Sequence, residues 1–194
     1  MIEIYFDGAC EPVNPGGTAS YGWIIKENDK ILAQEGGIVG SGEGMTNNVG
    51  EYTSLIKALE ALQRFNIQKE KIEIFGDSNL VCNTVSKKWG WNKKKTKWNP
   101  HKDAPHLKPL LEKALNLLRN FDYEIKWIPS KDNKQADLLS REPLIKASII
   151  KAESQKESCP ECGGYLIERK GPFSQFYGCS NYPKCRFTRK ISKA

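Results

Sequence analysis

The sequence predicts an α/β fold, a mixed five-stranded sheet with helices on both faces, followed by a small separate appendage. Three observations point there. Three strand-like apolar runs open the chain, two more alternate with stretches of helical periodicity, and two cysteine pairs stand beyond a break in pattern after Pro143. Three consecutive antiparallel strands followed by alternating helices and strands make a sheet of mixed direction, and its faces must be covered by helices.

Residues 2–6 alternate apolar and polar and read as the first strand, closed by Asp7. Residues 21–26 and 30–37 read as two further strands joined at Asn28-Asp29, a hairpin turn signal. Thr46-Asn47-Asn48 opens a helix whose apolar positions, from Val49 through Leu55 and Leu59 to Phe65, recur at helical spacing. Glu51 is expected in its first turn. Residues 71–76 alternate again and are closed by Asp77, and a helix begins near Ser78. A helix led by Pro105 runs through Leu118, residues 123–128 form the last strand, and a helix carrying Asp137 follows a cap candidate at Asn133.

Asp7, Glu51, Asp77 and Asp137 thus stand at two strand ends and two helix starts. Singly, each has a structural explanation: Glu51 completes a capping box with Asn48, or Asp137 favours a helix dipole. Together they can converge on one rim of the sheet, where four carboxylates repel unless divalent cations neutralise them. Hard oxygen ligands select Mg²⁺ or Mn²⁺ over zinc, and two such ions about 4 Å apart suit attack of water on a phosphodiester.

Asp7-Gly8-Ala9-Cys10, Asn14-Pro15-Gly16-Gly17, the run from Thr46 to Tyr52, Gly76-Asp77-Ser78-Asn79 and the run from Asn133 to Leu139 resemble, in order, the signature segments of type 1 ribonuclease H. The resemblance covers residues 1 to about 142. It implies a ribonuclease H-like fold and an endonuclease that cuts the RNA strand of RNA/DNA hybrids, leaving 5′-phosphate and 3′-hydroxyl ends. Asp7, Glu51, Asp77 and Asp137 would hold two Mg²⁺ ions. Cys10, Asn14, Asn47, Asn48 and Asn79 match positions lining the hybrid's minor groove, and Thr46 matches a phosphate contact. Amides that both donate and accept suit a ribose 2′-hydroxyl. Read without the resemblance, Asn14-Pro15-Gly16-Gly17 is a plain turn and Asn47-Asn48 a helix cap. The chain departs from the family in one respect. Many members carry a histidine in the loop before the last acid, whereas here residues 129–136 hold none, and His101 and His106 lie far upstream. Lys131 is a weak substitute, because an ordinary lysine stays protonated near neutrality.

Segment 87–98 holds six lysines, three tryptophans and no acid. Lys88, Trp89, Trp91, Lys93, Lys94, Lys95 and Trp98 are candidates for nucleic-acid contact, since indoles stack while ammonium groups neutralise phosphates. In the resemblance, the segment falls where some ribonucleases H carry a basic protrusion.

Residues 146–157 read as a linker between a catalytic domain over 1–145 and a zinc ribbon over 158–191. Cys159 and Cys162, then Cys179 and Cys185 after sixteen residues, have zinc-ribbon spacing and imply one structural Zn²⁺. The start is not a secretory leader, which speaks for reduced thiols over disulfides and for a cytoplasmic protein, and a monomer is expected. The segment from Phe176 to Phe187 resembles the C-terminal zinc fingers of type IA DNA topoisomerases, implying single-stranded DNA as a further partner. Residues 158–194 carry seven Lys or Arg against two Glu, and the aromatics among them either stack on bases or form the ribbon's own core. A net charge of +7 favours a polyanion partner, and no run approaches the about 20 apolar residues of a membrane span. Two readings compete with the nuclease: a binding protein without catalysis, and a related nuclease acting on DNA or on ribonucleotides embedded in it.

Overall fold

The computed structural model describes residues 1–65, 71–87, 104–149, 159–162, 166–170, 175–179 and 185–190. The chain divides into two compact units, Met1–Ile150 and Lys151–Ala194.

In the first unit, strands β1 (Ile2–Glu11), β2 (Thr18–Glu27), β3 (Lys30–Ser41), β4 (Ile72–Gly76) and β5 (Tyr123–Trp127) form one sheet of order β3-β2-β1-β4-β5. The first three strands pair antiparallel, while β4 pairs parallel with β1 and with β5. Asn28 and Asp29 both take positive φ, the geometry of a two-residue hairpin turn whose twist matches the strands it joins. Helices α1 (Asn47–Leu62), α2 (Asn79–Val85) and α3 (Lys108–Leu118) share the core with one sheet face. There Ile2, Ile4, Phe6, Ile72 and Ile74 meet Leu55, Leu59, Leu62, Leu111 and Leu118, each fully buried side chain worth about 1.5–3 kcal/mol. Helix α4 (Lys134–Lys146) packs on β1, β2 and β3. Alternation along β1 turns Asp7 away from the Phe6 side and toward α4.

Four local expectations need correction. Asp7 does not end a strand: β1 continues to Glu11, still paired with β2, and what ends beside Asp7 is the parallel ladder to β4, whose last pair is Phe6 with Gly76. Thr46 rather than Asn48 caps α1, accepting from the Val49 N–H, so Glu51 lies in the second turn and completes no capping box. Pro105 opens a single 3₁₀ turn, Pro105–Leu107, ahead of α3. Asn133 stands at the start of α4 but makes no side-chain cap bond, and Pro143 lies inside that helix.

In the second unit, β6 (Leu166–Lys170), β7 (Gln175–Cys179) and β8 (Thr188–Lys190) form a three-stranded antiparallel sheet. Its buried cluster is Cys159, Leu166, Cys179 and Cys185, with Tyr177 and Phe187 packed against it. Among the described residues, no helix of the chain is long and apolar enough to cross a membrane.

Candidate metal centres and nucleic-acid interface

Where a parallel ladder ends, the next residue of each strand is delivered to one rim. Asp7 and Asp77 arrive this way, one residue past the last β1–β4 pair, and α1 brings Glu51 to the same point because two glycines let backbone meet backbone. A Cβ on Gly8 would lie 2.1 Å from the Glu51 nitrogen, and one on Gly50 would lie 2.4 Å from the Ser20 carbonyl oxygen. Ligand oxygens of Asp7, Glu51 and Asp77 lie within 4.8 Å of one another. Asp137, half-buried in the first turn of α4, is not part of that group, although its charge acts on Asp7.

The electrostatics mark an incomplete charge set. Asp7 and Glu51 are each only 7% exposed. Desolvation, with the charges of Asp77 and Asp137, pushes the Asp7 carboxyl up to about 7, against a lowering hydrogen bond from Ser140. Glu51 is raised well above the usual carboxylate range by burial and then by the charges of Asp7 and Asp77. Its Oε2 is buried without a hydrogen-bond partner, a cost that a cation would remove. The donor set of hard oxygens, the mutual repulsion and the orphaned Oε2 fit a divalent cation.

Sequence reasoning missed the residues that hold these acids. Ser140 Oγ donates to Asp7 Oδ2 at 2.6 Å. Ser54 Oγ accepts from the Asp7 N–H and donates to the Gly22 carbonyl. Asn133 Nδ2 donates to both the Phe6 carbonyl and Asp77 Oδ1, and the Trp127 indole donates to the Asp77 carbonyl. Asn133 stands out in the sequence only as a helix cap, and Ser140 only by its i, i+3 spacing from Asp137.

Of the residues matched to the minor groove, Cys10 is buried with its thiol on the Val13 carbonyl, so the thiol is turned inward. Asn14 Oδ1 accepts from the Asn47 N–H, and Gly16 N–H donates to the Met45 carbonyl, which staples the loop after β1 to the turn before α1. Thr46, Asn47 and Asn48 therefore share one locked surface with Asn14, while Asn79 stands exposed at the start of α2. Lys88, Trp89, Trp91, Lys93, Lys94, Lys95, Trp98 and His101 lie outside the described residues. Lys131 is exposed on the turn Ser130–Asp132.

The four cysteine sulfurs of the second unit also lie within 4.8 Å of one another. Cys159 and Cys185 are 3.7 Å apart and Cys162 and Cys179 3.3 Å, too far for disulfides, whose S–S bond is about 2.05 Å. Tetrahedral thiolates about 2.3 Å from a Zn²⁺ ion would sit about 3.8 Å apart, so the cluster fits that ion. A backbone hydrogen bond from Phe187 lowers the Cys185 thiol, but burial and its crowding by Cys162, Cys179 and Cys159 push it up to about 12.

The family described as RNase H matches residues 1–144. This chain belongs to the RNase H family. A second family, described as topoisomerase DNA binding C4 zinc finger, matches residues 156–194 of this RNase H family member. Ribonuclease HI of Halobacterium salinarum is 36% identical over 145 residues, covering 74% of this chain and 64% of that protein. The crystal structure of LC11-RNase H1 in complex with RNA/DNA hybrid superposes with a TM-score of 0.63 at 29% identity, covering 76% of this chain and 99% of that one. DNA topoisomerase 1 of Methanocaldococcus jannaschii is 48% identical over 44 residues, 23% of this chain and 6% of that protein. The chain thus spans under two thirds of the length of both of these curated relatives.

Proposed function

We propose that this protein is a ribonuclease H that hydrolyses the RNA strand of RNA/DNA hybrids, giving 5′-phosphate and 3′-hydroxyl ends. The observation that carries the reading is the buried convergence of Asp7, Glu51 and Asp77 with an orphaned Glu51 oxygen. The complex of LC11-RNase H1 with RNA/DNA hybrid supports the choice of substrate. Two Mg²⁺ or Mn²⁺ ions held by these three acids and Asp137 would supply Lewis acidity to the attacking water and the leaving 3′ oxygen. The protein's own residues orient the reactants. Asn14, Asn47, Asn48 and Asn79 present amides to ribose 2′-hydroxyls, the groups that separate RNA from DNA. Ser140 and Ser54 hold Asp7 from its side chain and its backbone.

Residues 158–191 form, in this reading, a ribbon around one structural Zn²⁺, joined by the linker 146–157 to the catalytic domain 1–145. The ribbon adds affinity for nucleic acid, single-stranded DNA included, and the lysine–tryptophan segment 87–98 adds an electrostatic grip. The decisive experiment incubates the protein with end-labelled RNA/DNA hybrid, duplex RNA and duplex DNA in Mg²⁺. Cleavage confined to the hybrid's RNA strand and lost in Asp77→Asn is expected. Equal cutting of duplex DNA, or full activity of the variant, would overturn it.

A further inference from the structure

Asn133 opens α4, yet its side chain gives that helix no cap. It is 1% exposed, and its amide nitrogen instead donates to the Phe6 carbonyl at 2.9 Å and to Asp77 Oδ1 at 3.2 Å. Both partners are acceptors, which fixes the orientation of the amide. The Oδ1 is left buried without a partner, so the placement is locally unfavourable on two counts, the forfeited cap and the orphaned acceptor. A residue kept there against both costs is explained by what its nitrogen does.

The parallel pairing of β1 with β4 stops at Phe6 and Gly76, where the chain turns out of the sheet to present Asp77. Beyond that point Asn133 stands in for the departed strand, taking the Phe6 carbonyl and, with the same nitrogen, the Asp77 carboxylate. Its own carbonyl accepts the Asp137 N–H at 3.1 Å. One residue thereby ties the backbone beside Asp7, the side chain of Asp77 and the first turn that carries Asp137.

We infer that Asn133 is a positioning residue for the carboxylate centre, setting the Asp77 carboxylate against Asp7 and registering the Asp137 helix to both. This inference rests on the reading of that centre as a cation site. Outer partners of ligating carboxylates govern metal affinity, and their loss weakens it by about 10–100-fold.

Mn²⁺ binding to the zinc-loaded full chain, measured by titration calorimetry without substrate, tests it. Asn133→Ala is expected to weaken Mn²⁺ binding by at least about tenfold and to raise the Mg²⁺ concentration needed for half-maximal cleavage, with hybrid KM at saturating Mg²⁺ little changed. A folded Asn133→Ala that binds Mn²⁺ as tightly as wild type overturns the inference. Should that variant fail to fold, the Asn133 side-chain amide resonances of the wild type decide it, since they must shift as Mg²⁺ is titrated, and unmoved resonances overturn it. Wild-type protein that binds Mn²⁺ but cuts no hybrid refutes the nuclease reading alone. Protein that binds no cation at the centre refutes both.

Discussion

Ser140 Oγ lies 2.6 Å from Asp7 Oδ2, bridging α4 to the middle of β1 across 133 residues of sequence. The hydroxyl donates to the carboxylate, which favours the ionised form and opposes the desolvation that raises it. Ser140→Ala removes the donor, so the Asp7 carboxyl rises further and a cation must displace a more firmly held proton. The expected result is roughly tenfold weaker Mg²⁺ binding at pH 7, the effect of losing a hydrogen bond to a charged group of about 1.5 kcal/mol. The deficit should shrink at pH 9, where the proton is gone. Calorimetric Mg²⁺ titrations at the two pH values check this.

Without cations, the centre makes the fold sensitive to pH. The Asp7 carboxyl has a folded value of about 7 against an ordinary 3.8, and Glu51 is raised as well. The folded state therefore holds more protons than the unfolded state between those values, so stability falls as pH rises from about 4 through about 7. Thermal melts in Mg²⁺-free buffer should show Tm dropping across that range, with Mg²⁺ restoring it above pH 7. Asp7→Asn removes the repulsion and keeps an acceptor for Ser140. It should raise the Mg²⁺-free Tm at pH 8 by roughly 5 °C while eliminating hybrid cleavage.

The seat of α4 depends on Gly22. A Cβ there would meet the Ser140 nitrogen at 2.2 Å and the Ala136 carbonyl oxygen at 2.5 Å, both backbone atoms that no rotamer change can move. Gly22→Ala must push the helix away, taking Ser140 from Asp7 and shifting Asp137. A loss of about 3 kcal/mol, seen as a Tm fall of roughly 10 °C, is expected together with weakened Mg²⁺ binding. A melt and a Mg²⁺ titration on the same sample test the coupling.

The acids were legible because Asp7 and Asp77 interrupt runs whose alternation is plain, as in Ile2-Glu3-Ile4 and Ile72-Glu73-Ile74. The strand extensions were not. Residues 8–10 of β1 are small, and the end of β3 beyond residue 37 follows Gly36-Gly37 and includes Gly40, a pattern that reads as loop because glycine is a poor strand former. In the fold, Gly36 is where a helix passes: a Cβ there would lie 2.1 Å from the Leu139 carbonyl oxygen. Such a contact is a property of two distant segments, and neither carries it alone. The same holds for Ser54, Asn133 and Ser140, common polar residues whose roles come from partners 32 to 133 positions away.

Four thiols crowded within 4.8 Å must shed protons to bind zinc. The Cys185 thiol, at about 12, would otherwise stay protonated at neutral pH. Zinc uptake should release protons, so its affinity should rise steeply with pH. Cys162→Ser is expected to lower bound zinc below one ion per chain and to unfold the second unit, leaving Mg²⁺ binding at the carboxylates intact. Metal analysis of the purified variant and calorimetry in two buffers of different ionisation enthalpy would show both effects.

Each unit carries its own buried cluster. The core of the first runs from Ile2 to Ile125, with Ala136 and Leu144 also buried, and the second has Leu166 and three cysteines. Helix α4 closes within the first unit, where Ala147 N–H donates to the Pro143 carbonyl and Ile149 N–H to that of Leu144. A chain ending at Ile150 should therefore fold, bind Mg²⁺ and cut hybrid at saturating substrate at the full-length rate. Its hybrid affinity should nevertheless fall by roughly a hundredfold, because a tethered second site raises effective concentration without touching the chemistry. The salt dependence should flatten as the tail's Lys and Arg contacts to phosphate are lost. Steady-state cleavage at two salt concentrations separates the terms: KM should change and kcat should not. A truncated chain that folds and binds Mg²⁺ but turns over slowly at saturating hybrid would mean that the cysteine-bearing unit takes part in the chemistry itself.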